Sequence, residues 1–71
     1  MFELNQLVEI KDKNKMENDK TLESEALKII EASKFRGEIT KIEDGIHFVG
    51  FLNDEGWVTQ GFKENEIKAV E

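Results

Sequence analysis

The residues that could support catalysis are few and lie apart in the sequence. His47 is the single histidine, and hydrolytic chemistry would require a nucleophile such as Ser24 or Ser33 beside it. Both serines are remote from it in the chain, and no Gly-x-Ser-x-Gly or His-Glu-x-x-His pattern is present. We therefore expect His47 to be an ordinary histidine at the rim of the fold, and the protein not to be an enzyme.

Paired carboxylates occur at two places, Glu43-Asp44 and Asp54-Glu55, and a glycine follows each pair. Acidic residues and glycine are common in turns for backbone reasons, and the ligand spacing of a calcium-binding loop is absent. Because the chain has no cysteine, it has no thiolate metal site. Its glycines match no phosphate-binding motif and are expected at bulges and close strand crossings. We expect neither a metal nor a cofactor.

The chain of 71 residues is long enough for one domain with one hydrophobic core. The absence of cysteine and of a basic-then-apolar leader favours the cytoplasm. Its longest apolar run is too short for a membrane span. We expect a single cytoplasmic domain over residues 1–71.

Negative charge is concentrated in the second half of the chain. Residues 1–36 carry eight acidic and seven basic side chains, whereas residues 37–71 carry eight acidic and three basic ones, so their net charges are −1 and −5. Nonspecific nucleic-acid binding requires clustered cations, and a region this acidic repels a phosphate backbone. Nucleic acid is therefore not the favoured partner.

Hydrophobic periodicity divides the first half into a strand, a polar loop and a helix. Residues 7–10 are typical of a strand, and residues 11–15 are polar with no apolar period. Apolar residues then recur at spacings of three and four, which predicts a helix over residues 21–33 with Thr21 as its N-cap.

The second half is typical of a three-strand meander, followed by a helical turn at residues 63–66 and a last strand at residues 67–70. A three-residue loop ending at Gly45 would pair Ile42 with Ile46. A two-residue loop at Asp54-Glu55 would pair Leu52 with Trp57. The resulting register predicts that one face forms the core, comprising Ile39, Val49, Phe51, Val58 and Phe62, joined by Val8 or Leu7, Ile10 and Ile67.

The opposite face of the predicted meander is also apolar. It carries Ile42, Ile46, Phe48, Leu52 and Trp57, which is more apolar surface than a small monomer leaves in water. The favoured interpretation is that the helix covers this face. The alternative is a partner-binding patch at the Trp57 end, and both can hold, because a short helix cannot cover a whole sheet face.

The sequence of residues 56–67, GWVTQGFKENEI, is similar to the closing segment of small SH3-like proteins from phages and mobile elements of Gram-positive bacteria. The predicted order of elements, with a loop-plus-helix insert at about residues 11–34, resembles the SH3-like barrel. The resemblance implies a mainly β fold, a five-stranded SH3-like barrel with one α-helix inserted between the first and second strands. Since the chain has neither tyrosine nor proline, proline-rich ligands are not implied.

The segment Arg36-Gly37-Glu38-Ile39, followed by Ile42, is similar to the basic-Gly-x-aliphatic core of the KOW motif. That motif occurs in some transcription factors and ribosomal proteins, and the resemblance implies RNA or polymerase contacts.

Two function hypotheses follow. The first is a non-enzymatic protein-interaction module, an accessory protein of a phage or mobile element that modulates a host protein. Its candidate contact residues are Phe48, Leu52, Trp57, Asp54, Glu55 and Glu64.

The alternative is a nucleic-acid-associated factor of transcription or translation. Its candidate contacts are Lys11, Lys13, Lys15, Lys20 and Arg36. A homodimer through the apolar face or a strand edge is a third option.

Overall fold

A computed structural model describes residues 2–18 and 22–70, apart from the side chain of Lys15. Five strands are present in this part of the chain: β1 (Leu7–Ile10), β2 (Arg36–Glu43), β3 (Ile46–Asn53), β4 (Gly56–Lys63) and β5 (Ile67–Ala69). Two helices, α1 (Lys13–Glu17) and α2 (Ser24–Ala32), lie between β1 and β2. A 3₁₀ turn, Glu64–Glu66, connects β4 to β5.

The strands form one antiparallel sheet in the order β4-β3-β2-β1-β5. The mainly β class, the five strands and the helix between the first two of them are confirmed. Since β4 and β5 are at the two ends of this order, each has one edge without a neighbouring described strand.

The insert between β1 and β2 differs from its prediction in two places. Part of the expected loop forms α1, and Met16 of that helix is buried. The longer helix, α2, begins at Ser24 with Glu23 as its N-cap, which makes no side-chain capping bond. The predicted N-cap, Thr21, lies outside the described residues, as does Lys20.

The hairpin between β2 and β3 has a shorter loop than predicted. Asp44 and Gly45 have φ angles of 52° and 78°, which suit a two-residue type I′ turn. Glu43 therefore pairs with Ile46, and the predicted pairing of Ile42 with Ile46 is wrong. The left-handed position of Gly45 is confirmed.

A β-bulge at Thr40 corrects the register further along the same hairpin. Ile39 pairs with Val49, as predicted, whereas the next recorded pair is Lys41 with Phe48. Because two steps on β2 oppose one step on β3, Ile42 moves to the face of its new partner, His47. The prediction that Ile42 lies on the outer face is therefore wrong.

The hairpin between β3 and β4 agrees with its predicted register in full. Leu52 pairs with Trp57, and Phe51 and Val49 pair with Val58 and Gln60. Its two-residue turn needs no bulge, so the alternation of faces predicted from the turn holds along both strands.

The inner face of the sheet forms the hydrophobic core. The buried apolar residues are Val8, Ile10, Met16, Ile30, Ile39, Val49, Phe51, Phe62 and Ile67. Among the predicted members, Val58 is only partly buried and Leu7 is exposed, which leaves Val8 as the inward residue of β1. Met16 and Ile30 join the core from the two helices.

Helix α2 packs into this core rather than over the outer face. Ile30 is fully buried with the sheet residues, and Ile29 is close to Gly56 at the start of β4. The side-chain amide of Asn53 donates to the Ile29 carbonyl at 2.8 Å and to Ser33 Oγ at 2.6 Å. The favoured interpretation, in which this helix covers the outer face, is therefore wrong.

Candidate protein-interaction surface

The outer face of the β3–β4 hairpin carries exposed apolar side chains. Leu52 is 75% exposed and Trp57, paired with it across the hairpin, is 64% exposed. Phe48 is on the same face of β3 and is half-buried. We call Phe48, Leu52 and Trp57 the outer apolar surface. All three were among the six residues predicted to bind a partner, and they lie on one face of the sheet.

Two glycines shape this face. A Cβ atom on Gly61 would be 2.9 Å from Ile46 Cγ2 and 3.4 Å from Phe48 Cε1, so both side chains lean over the bare glycine backbone. A Cβ on Gly50 would be 3.9 Å from the indole Nε1 of Trp57. The large side chains therefore spread along the sheet instead of standing away from it, and the surface is broad and shallow.

Lys41 covers part of Phe48. Its Nζ is 5.9 Å from the centroid of the Phe48 ring, within the range of a cation–π contact, and 2.9 Å from Glu43 Oε2. The sequence prediction placed Ile42 on this face, because the Thr40 bulge leaves no clear signal in the pattern of apolar residues. The Leu52–Trp57 end is consequently the open part of the outer apolar surface.

An acidic turn adjoins this open end. Asp54 and Glu55 are exposed between the paired Leu52 and Trp57. The Glu55 amide donates to Asn53 Oδ1 at 2.8 Å, and the amide nitrogen of the same Asn53 side chain is bonded to α2. These hydrogen bonds hold the turn beside α2. The carboxylates of Asp54 and Glu55 are exposed to solvent.

Glu64 is not part of this cluster. It lies in the 3₁₀ turn at the opposite end of β4, seven residues from Trp57, which at about 3.3 Å per strand residue is roughly 23 Å. Five of the six predicted contact residues are therefore on the β3–β4 hairpin. Phe48 lies further along this hairpin from the turn, and Glu64 is remote from the Leu52–Trp57 end.

Glu9 neutralises part of the positive charge that was predicted to contact nucleic acid in the alternative hypothesis. Lys13 Nζ is 3.3 Å from Glu9 Oε2, and Arg36 Nε is 3.4 Å from Glu9 Oε1. The hydrogen bond from Lys13, aided by the charges of Lys13, Lys68 and Arg36, holds the pKa of Glu9 below its usual value, against a smaller effect of burial. Lys11 is exposed. Lys20 and the side chain of Lys15 lie outside the described part of the chain.

His47 is buried, and the prediction that it lies at the rim is wrong. It is 6% exposed, and its ring meets that of Phe2 edge-on at 5.6 Å between centroids. Ile42 and Phe62 are its cross-strand partners. Its Nδ1 is buried without a hydrogen-bond partner. Sequence reasoning missed this site because both the bulge and the packing of the N-terminal segment decide it.

In the described part of the chain, no metal-binding cluster accompanies His47. Among the described residues, no group of three or more His, Cys, Asp or Glu side chains could hold a metal ion. A cleft of roughly 290 Å³ opens elsewhere, between β4 and the start of the insert, with apolar Ile10, Met16 and Phe62 among its lining residues and polar Lys11 and Asn65 beside them. This cleft could not be predicted from the sequence, because residues far apart in the chain line it.

Comparison with known proteins adds no assignment. No family model matches the sequence, and neither curated proteins nor solved structures gave a match. Within the described ranges, no helix has both the length and the apolar character needed to cross a membrane.

Proposed function

We propose that the protein is an SH3-like domain that acts as a non-enzymatic protein-interaction module through its outer apolar surface and the adjoining acidic turn. The observation that carries the proposal is the exposure of Leu52 and Trp57, which face each other on a sheet surface that α2 leaves open. Tryptophan is among the residues most enriched at interface hot spots, and paired large side chains supply a compact anchor.

The arrangement of the strands supports the SH3-like assignment. The chain has a long insert after β1, then the β2–β3–β4 meander, a 3₁₀ turn and a short β5 that pairs back with β1. The segment that resembles the closing part of small phage and mobile-element proteins spans β4, the 3₁₀ turn and the first residue of β5. This supports a role as an accessory protein of such an element that modulates a host protein.

The chemistry of the surface indicates the kind of partner. Asp54 and Glu55 place two negative charges beside Leu52 and Trp57, and the chain carries a net charge of −6. Such a surface is complementary to an apolar patch bordered by lysine or arginine. A basic host protein, including the nucleic-acid-binding site of such a protein, fits this description.

A matched pair of leucine variants tests the proposal. Leu52→Ala and Leu7→Ala make the same change at exposed strand residues, 75% and 57% exposed, but only Leu52 belongs to the outer apolar surface. In capture from host lysate by tagged protein, we expect wild type and Leu7→Ala to recover the same proteins. Leu52→Ala and Trp57→Ala should lose them, with binding of purified partner weakened about tenfold or more.

Two further results test the charge of the partner and the proposed contact surface. Reduced binding on replacing Asp54 and Glu55 with Asn and Gln, mainly through a slower association rate, would support a basic partner. Equal recovery of all partners by wild type, Leu52→Ala and Trp57→Ala would contradict the proposed surface.

A further inference from the structure

Strand β4 has a free edge that can pair with another strand. The backbone N–H of Lys63 donates to Glu66 Oε1 at 2.7 Å, so it points away from β3. In an antiparallel ladder, alternate residues turn both backbone groups to the same side. Gly61, Thr59 and Trp57 therefore also turn their N–H and C=O groups to the free edge, where no described residue bonds to them.

This edge has few of the features that normally prevent pairing. Natural edge strands are protected by proline, bulges, charges or short length. β4 has eight residues in regular register with β3, no bulge and no proline, and its single charge is at Lys63. Gly61 is exposed, so the middle of the edge is also accessible.

We propose that the free edge of β4 pairs antiparallel with β4 of a second copy of this chain, with Thr59 opposite Thr59. In this register Trp57 faces Gly61 of the second copy, and Glu55 faces Lys63 of the second copy, each contact occurring twice. Neither Glu55 nor Lys63 forms an ion pair with another described residue in the single chain.

The side chains favour this register over its neighbours. A shift of two residues in one direction would place Glu55 opposite Gly61, and a shift in the other direction would place it opposite Asn65, so both shifts lose the opposite-charge pairs. In the proposed register Trp57 is opposite Gly61 of the second copy, a residue that has no side chain of its own to clash with the indole. The ring of Phe48 leans over that same glycine and offers an aromatic contact.

The pairing accounts for the unbonded backbone groups on the free edge of β4. The two-fold axis is perpendicular to the sheet, so the outer faces of both copies point in the same direction. Leu52 of each copy stays accessible. The inference goes beyond the proposed function and does not depend on it, because failure to dimerise leaves the partner-binding test unchanged.

A single cysteine tests the contact directly, since the natural chain has none. Oxidation of dilute Thr59→Cys should give a disulfide-linked dimer of twice the 8.2 kDa chain mass, because opposed strand residues are within disulfide reach. Lys68→Cys, on the edge strand at the other end of the sheet, is the control and should remain monomeric. Equal dimer yields from both variants would overturn the proposed contact.

Sedimentation equilibrium measures whether the natural chain dimerises. Wild type should show a mass that rises with concentration towards the dimer. Thr59→Pro removes an N–H that the single chain does not use, so it should fold, as checked by circular dichroism, and remain monomeric. Thr59→Val keeps the N–H and should dimerise as wild type does. A wild-type chain that is monomeric up to about 1 mM would overturn the proposal.

A charge exchange tests the register without altering the backbone. Lys63→Glu places two carboxylates opposite each other twice, and we expect dimer affinity to fall about tenfold. Adding Glu55→Lys to the same chain restores opposite charges and should restore affinity. Failure of the double variant to recover would show that these two residues do not meet.

Discussion

The imidazole of His47 is surrounded by apolar groups that do not satisfy its Nδ1. Phe2, Ile42 and Phe62 are its neighbours, and none offers a side-chain hydrogen-bond partner. A buried polar atom without a partner lowers stability, whereas an apolar side chain of similar size at the same position does not incur this cost.

His47→Leu should therefore stabilise the fold by about 1 kcal/mol, as measured by urea denaturation at neutral pH. His47→Ala is the matched control, because it also removes the Nδ1 but leaves a cavity, and it should destabilise the fold. A loss of stability in His47→Leu would contradict the conclusion that the unsatisfied Nδ1 of His47 destabilises the fold.

Glu9 should give the protein a pH-dependent part of its stability. Because the pKa of Glu9 is lowered from 4.5 in the folded state, chiefly by the hydrogen bond from Lys13, the unfolded chain binds this proton more tightly. The stabilisation is complete above pH 4.5 and is lost as the pH falls through the lowered folded value. Glu9→Gln should thus lower the urea midpoint at neutral pH and leave it unchanged in strong acid.

Glu38→Gln is the control for that experiment, since it removes an exposed carboxylate of β2 that forms no ion pair with another described residue. A Glu9→Gln deficit that persists undiminished in strong acid would contradict the ion-pair explanation.

The C-terminal end of α2 contains backbone strain. Lys34 and Phe35 have φ angles of 59° and 60°, in the left-handed region that side chains with a Cβ disfavour. Their amides donate to the carbonyls of Glu31 and Ile30 at 2.9 and 3.0 Å, which ends the helix and directs the chain into β2.

Lys34→Gly should relieve part of this strain and stabilise the fold by about 1 kcal/mol, after allowance for the greater freedom of glycine in the unfolded chain. The same change at exposed Lys28, inside α2, should destabilise it by about 1 kcal/mol. Thermal unfolding of the two variants measures both effects. A lower melting temperature for Lys34→Gly would contradict the account of this turn.

The hairpins show which parts of the fold could be predicted from the sequence. The β3–β4 register was correct because the alternation of apolar residues and a short turn determine it together. The β2–β3 register was correct at Ile39 and wrong at Ile42, because the bulge at Thr40 inserts a residue without any proline or glycine to mark it. The pattern of apolar residues in a sequence does not show where a β-bulge shifts the pairing of two strands.

The position of α2 could not be predicted for a different reason. Its apolar stripe fits either face of the sheet, since both faces carry large apolar residues. The choice depends on contacts such as those of Ile29 with Gly56 and of Asn53 with the helix carbonyl, between residues more than twenty positions apart. As a result, the sequence identified Leu52 and Trp57 as candidates, but their exposure at the Trp57 end was the alternative and not the favoured interpretation.

For the molecule as a whole, charge separates the two function hypotheses. The net charge is −6, and Lys13 and Arg36 are each within 3.4 Å of the Glu9 carboxylate. Nucleic-acid binding requires cations that can displace counterions from phosphate. We therefore expect no shift of single-stranded or double-stranded RNA or DNA in a gel at low salt. A complex that weakens steeply with salt, and that Arg36→Ala abolishes, would contradict this.

The face of the β3–β4 hairpin that carries Trp57 is open in the single chain. Trp57 is the only tryptophan, so intrinsic fluorescence reports on it alone. Acrylamide quenching at concentrations low enough to keep the chain monomeric measures its accessibility directly. We expect quenching close to that of the urea-unfolded chain, with red-shifted emission. Blue-shifted emission that acrylamide scarcely quenches under the same conditions would show that this face is covered and that the proposed contact surface does not exist in the single chain.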